Sequence, residues 1–155
     1  MKGNKQVIEQ LNQLLVGELT AADQYFIHSR MYQNWGFDAL YERISHEVQD
    51  ELGHADALIK RILFLEGIPD LSKRDPLHVG GSVPEMLKND LALELSVVGA
   101  LRQAIALCEQ QQDYQTREIL RAMLEDTEHD HAHWLEKQLG LLDTLGLQNY
   151  LQSQL

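Results

Sequence analysis

The sequence predicts an all-α fold: a four-helix bundle with one long crossover and a short fifth helix at the C-terminus. Three observations predict it. Apolar residues recur every three or four positions in four long stretches, which lays each set on one helix face. Only three prolines occur in 155 residues, so long helices are not broken. The connections run short, long, short, the spacing of two antiparallel hairpins joined by one crossover.

The first stripe is Val7, Ile8, Leu11, Leu14, Leu15, Ala22, Tyr25 and Phe26, predicting a helix from about residue 5 to Asn34. Trp35-Gly36-Phe37 breaks it, and Asp38 suits the N-cap of the next. The second stripe, Leu40, Ile44, Ala55, Leu58, Ile62 and Leu65, ends at Gly67. A third, Leu87, Leu91, Val98, Leu101 and Ile105, opens with Ser82-Val83-Pro84-Glu85, which fits a capping box. The fourth is Leu120, Leu124, Leu135 and Leu139, with a cap at Asp113. Thr144 to Leu155 suits a short fifth helix. A second helix of about 29 residues is roughly 43 Å long. The roughly sixteen residues from Gly67 to Ser82 reach about 53 Å when extended, enough to run the length of the bundle.

Composition narrows the class. The length suits one domain over residues 1–155. Thirteen Lys and Arg stand against 24 Asp and Glu, a net charge of −11 that repels nucleic acid and anionic membranes and attracts cations. Cys108 is the sole cysteine, so a Cys-based zinc site within the chain is excluded and Cys108 reads as a core residue. The N-terminal residues Met1 to Lys5 lead into an amphipathic stretch rather than an apolar run, so neither a secretory signal nor a membrane span is expected, and the expected compartment is the cytoplasm.

The apolar stripes carry charged interruptions. Glu18 lies between Leu14, Leu15 and Ala22; Glu51 and His54 lie between Ile44 and Leu58; Glu94 lies between Leu91 and Val98; Glu128 and His131 lie between Leu124 and Leu135. Each Glu-x-x-His pair shares one helix face. Each hairpin contributes one Glu from its first helix and one such pair from its second, at offsets of 33 residues (18 to 51) and 34 residues (94 to 128). Two hairpins face to face assemble the ligand set of di-iron carboxylate bundles. An unpaired buried carboxylate costs several kcal/mol. Two divalent cations would neutralise the four glutamates, and carboxylate with imidazole suits iron or manganese.

Over essentially its whole length the chain also resembles the bacterioferritin family, within the ferritin-like fold. The resemblance is carried by Met1-Lys2-Gly3, Glu18, Asp23-Gln24-Tyr25-Phe26, Arg61 through Gly67, Asp90-Leu91, Leu93-Glu94, Trp134-Leu135-Glu136 and Gly146 through Gln152. It implies six ferroxidase ligands at Glu18, Glu51, His54, Glu94, Glu128 and His131, with Glu51 and Glu128 bridging two irons. One residue is inserted before the last motif. The Glu-x-x-His spacing and Trp134 put the ligands at Glu128 and His131 rather than at Thr127 and Asp130. The resemblance further implies a hollow 24-subunit shell storing ferric mineral, Tyr25 beside the centre, and an inner-surface iron site at His46 and Asp50, with Glu47. Leu52 stands where the family places a haem-ligating methionine, so haem is not expected in a homo-oligomer, although co-assembly with a methionine-bearing second subunit would supply it.

Asp126, His129, Asp130 and His133 read as a solvated face, with a second metal site or a pore lining as the alternative. Ferrous iron is the expected substrate and oxygen or peroxide the oxidant. A DNA-protecting mini-ferritin would need a basic tail, and rubrerythrin-like electron transfer four cysteines.

Overall fold

The computed structural model describes residues 1–155. Helix α1 (Lys5–Trp35) starts at Asn4, whose side-chain oxygen accepts from the N–H groups of Gln6 and Val7. It stops at Gly36, which takes a left-handed φ of 86°. Helix α2 (Asp38–Phe64) begins one residue earlier than expected for an Asp38 cap: Asp38 is its first helical residue and makes no capping bond, although its charge suits the positive helix end. Its last turn unwinds before Gly67 because Glu66 adopts a φ of 64°. Gly67 then passes so close to α1 that a Cβ there would lie 2.6 Å from Ile8 Cγ2.

The crossover from Leu65 to Ser82 climbs alongside α1 on a stripe of polar side chains. Asn12 Oδ1 accepts from Asp70 N at 2.9 Å, Thr20 Oγ1 from Asp75 N at 2.9 Å, Gln24 Oε1 from His78 N at 3.1 Å and His28 Nε2 from Gly80 N at 3.2 Å. Rising positions on α1 thus meet rising positions in the loop. The chain is thereby returned to the end of the bundle where α2 began, and α3 (Val83–Gln110) runs parallel to α2. Because His28 Nε2 accepts, its Nδ1 carries the proton, which it donates to buried Asp90 at 2.8 Å. Ser82 caps α3 as expected, while Glu85 reaches back to Gly81 N at 2.9 Å.

Helix α3 alone has the length and mean hydropathy, 1.6 over 18 residues, of a membrane-crossing helix. Its inward face nonetheless carries buried Asp90 and Glu94 and packs in the bundle. The fourth helix departs most from expectation. It opens at an Asp113 cap as α4 (Tyr114–Asp126), widens into a π-helical segment (Thr127–Ala132) and continues as α5 (His133–Leu145). After Gly146, α6 (Leu147–Gln152) folds back, with buried Tyr150 donating to Gln138 at 2.8 Å.

Two apolar cores fill the bundle. One holds Leu15, Leu58, Leu101, Cys108 and Met123; the other holds Tyr25, Ile44, Leu87, Leu135 and Tyr150. Each long helix crosses from one core to the other at a charged residue of the predicted site. Gly80 is where backbone packing is tightest, since a Cβ would sit 2.7 Å from Met86 N. We predict that Gly80→Ala destabilises the fold by about 1–3 kcal/mol, read as a lower urea midpoint, whereas a Gly53→Ala control, with open space around its Cβ position, does not.

Candidate metal centre

Between the two cores lies a layer of buried acids and imidazoles. Helix α1 contributes Glu18, α2 contributes Glu51 and His54, α3 contributes Glu94, and the π-helical segment contributes His131. Glu18, Glu51, Glu94 and His131 are at most 1% exposed, and the His54 side chain 12%. Two clusters share one residue: Glu18, Glu51 and His54 form the first, and Glu51, Glu94 and His131 the second, each with donor atoms within 4.8 Å of one another. Glu51 presents one oxygen to each imidazole, Oε2 at 3.7 Å from His54 Nδ1 and Oε1 at 2.8 Å from His131 Nδ1. That is the placement of a carboxylate able to bridge two cations. The imidazole rings stack, with centroids 5.8 Å apart.

Tyr25, buried beside the layer, donates its hydroxyl to Glu94. Hydrogen bonding leaves much of the layer unsatisfied. Both oxygens of Glu18 and of Glu51, Oε2 of Glu94 and Nδ1 of His54 have no aligned partner, although nitrogens lie nearby. Such orphaned buried acceptors are rare in folded proteins, and divalent cations would satisfy them. Burial pushes the Glu18 carboxyl well up from its ordinary range, with the neighbouring Glu51 charge adding to it. Burial likewise raises Glu94, only partly offset by hydrogen bonding to His131. Burial alone would lower His54, but the close carboxylates of Glu18 and Glu51 outweigh it and push it up to about 11. His131 is raised in the same way, with burial outweighed by Glu47, Glu51 and Glu94. Protons therefore stand in for cations in the metal-free layer, and cations must displace them.

Of the six residues singled out in the sequence, five converge and Glu128 does not. Glu128 pairs with Arg102 at 2.8 Å, and its side chain is 34% exposed. The π-helical segment is the cause. Three residues apart on an α-helix lie about 60° from one another and share a face; the wider i to i+5 winding of a π-helix takes Glu128 off the face that His131 keeps. Residues five apart align instead, and Asp126, read from the sequence as part of a solvated face, turns to His54, with Oδ2 2.7 Å from Nε2. Thr127 is buried, its hydroxyl bonded to Met123 O.

Asp130 stays half-exposed while meeting Arg43 at 3.2 Å, and His133 stays largely exposed. Glu47, expected on an inner surface, is 2% exposed and lies 2.8 Å from His131 Nε2 and 2.7 Å from Arg43. His46 is largely exposed, 3.3 Å from Asp50. The position of Glu47, one helical turn before Glu51, was the available sign that it faces inward.

A pH dependence follows. The folded His54 binds its proton up to about 11, the unfolded one only up to about 6.5. Between these values the folded metal-free chain holds the extra proton, so its stability falls as pH rises. The stability advantage of metal-free wild type over His54→Gln is therefore full below that window and shrinks as pH is raised through it. Urea midpoints along a pH series measure it, and an advantage that grows with pH would contradict the assignment.

The geometry agrees with what the chain is similar to. A ferritin-like domain model matches residues 8–145. A bacterial ferritin of Synechocystis sp. is 63% identical over 155 residues, covering 100% of this chain and 99% of the relative. A bacterial ferritin of Pseudomonas aeruginosa is 59% identical over 100% of both chains. A bacterioferritin of Mycolicibacterium paratuberculosis is 41% identical over 97% of this chain and 94% of its own. With a buried layer of three carboxylates and two imidazoles at the centre of a bundle of this topology, the chain belongs to the bacterioferritin family of ferritin-like proteins.

Proposed function

We propose that this chain stores and detoxifies iron by oxidising it. Ferrous ions are the substrate. Two bind between the helices, one toward Glu18 and His54, the other toward Glu94 and His131, with Glu51 between them. Each gives up one electron, and a pair delivers the two electrons that reduce one oxygen molecule to peroxide or one peroxide to water. The chain's own residues need no nucleophile and no general base on carbon. Their work is to hold two cations at a fixed separation in a dry interior, to neutralise them, and to yield protons as the cations enter. The observation that carries this reading is the pair of buried clusters joined through Glu51, with orphaned oxygens pointing inward.

The ferric product passes to the cavity of a self-assembled shell, for which twenty-four subunits is the family's arrangement, in the cytoplasm. His46 and Asp50, next to buried Glu47 on α2, are a route from the centre to the cavity wall. The shell is built of this chain alone or with a second, methionine-bearing subunit. Haem is tied to that choice. Leu52 is 44% exposed in the single chain and follows Glu51, so it points away from the centre toward solvent or a neighbouring copy.

Rapid mixing of metal-free protein with ferrous iron and oxygen tests the core of this. The fast phase saturates near two ferrous ions per chain, and a break near one ion or no fast phase contradicts it. Glu94→Ala abolishes the fast phase, while Glu128→Ala, which removes only the Arg102 pair, leaves most of it. Haem loading tests Leu52. The homo-oligomer offered haem shows no bis-methionine spectrum, whereas Leu52→Met, a near volume-conserving change, gains up to one haem per pair of subunits.

A further inference from the structure

Both imidazoles of the centre turn the same nitrogen inward. His54 Nδ1 faces Glu18 at 3.5 Å and Glu51 at 3.7 Å, and His131 Nδ1 faces Glu51 at 2.8 Å and Glu94 at 3.3 Å. Their Nε2 atoms look outward, and the nearest carboxylate differs: Asp126 Oδ2 lies 2.7 Å from His54 Nε2 but 3.8 Å, beyond hydrogen-bond reach, from His131 Nε2, which also has Asp50 at 3.4 Å. His131 Nε2 lies 2.8 Å from Glu47 of α2 but without hydrogen-bond alignment. His54 Nε2 makes an aligned hydrogen bond of 2.7 Å to Asp126 of the fourth helix.

The His54 bond decides a tautomer. An ionised carboxylate can only accept, so the Nε2 of His54 carries the proton it donates. Nδ1 is then the nitrogen whose lone pair is released for a cation once its own proton leaves. An imidazole that binds metal through one nitrogen and donates from the other to a carboxylate is fixed in rotation and made more basic. Asp126 owes this place to the π-helical segment, since on an uninterrupted α-helix residues five apart lie about 140° from one another. The same widening that turned Glu128 outward brought Asp126 over His54.

We propose that Asp126 is a positioning residue for one half of the centre, holding His54 with Nδ1 toward Glu18 and Glu51. The inference rests on the two-cation reading above. It breaks the pseudo-symmetry of the two hairpins. His54 is held from the fourth helix through Asp126, and His131 is flanked from its own partner helix through Glu47. Loss of Asp126 therefore weakens one cation site and spares the other.

Cobalt(II) is the probe, because its visible absorption and its calorimetric titration report binding without turnover. Metal-free wild type binds two cobalt ions per chain. Asp126→Ala binds one as before and the other roughly ten- to a hundredfold more weakly, with the absorption bands of that ion altered. Asp126→Asn, whose amide oxygen still accepts from Nε2, recovers most of the loss. The Asp126 side chain is 39% exposed, so both variants fold, and matching melting curves of the metal-free proteins check this. Asp126→Ala with both ions bound as in wild type, or with both weakened equally, overturns the positioning role while the two-cation reading stands. Asp126→Asn as weak as Asp126→Ala makes Asp126 a direct ligand and also overturns it. A wild type that binds no pair of cobalt ions overturns the two-cation reading, and this inference with it.

Discussion

Four long helices of this chain meet at a place where elementary electrostatics says they should not. Burying one carboxylate without a counter-charge is unfavourable by several kcal/mol, yet Glu18, Glu51 and Glu94 are packed together with almost no water access. Everything around them answers that constraint. Apolar residues seal the layer above and below, Tyr25 and the imidazoles supply hydrogen bonds and protons, and the unsatisfied oxygens point to one shared space. A folding optimum without function would have filled those positions with leucine, since replacing buried ionic groups by apolar ones of like volume is often neutral or stabilising.

The layer only works if four helices hold their register, and the long crossover sets part of it. Asn12, Thr20, Gln24 and His28 recur on one side of α1 and receive successive backbone N–H groups of the loop. The last of these, His28, passes the constraint on to Asp90 of α3, one helical turn before Glu94. Thus the connection that returns the chain also fixes the height at which Glu94 meets Glu18.

Much of this was legible in the sequence, for a definite reason. An α-helix converts spacing into direction, so Glu18, Glu51, His54, Glu94 and His131 could be placed on inward faces from their apolar neighbours alone. The capping residues Ser82 and Asp113 were legible because their side chains act locally. Glu128 lies off the shared face because the conversion from spacing to direction assumes an α-helix throughout, whereas the π-helical segment changes the angle per residue. Asp126 was misread for the same reason. Glu47 was expected on an inner surface and Arg43 was not singled out, because their contacts with His131 and Asp130 come from the fourth helix, more than eighty residues away.

The division of the interior into two apolar clusters has a consequence for how the subunit behaves as a physical object. Each cluster has its own aromatic and aliphatic packing, and the two are joined mainly through the charged layer that every long helix crosses. With protons in that layer, the joint consists of poorly aligned acids and imidazoles. Cations held there would draw bonds from α1, α2, α3 and the fourth helix at once. Their occupancy would act like a rivet, tying the two halves of the molecule into a single cooperative unit and coupling the rigidity of each end to the load carried at the middle.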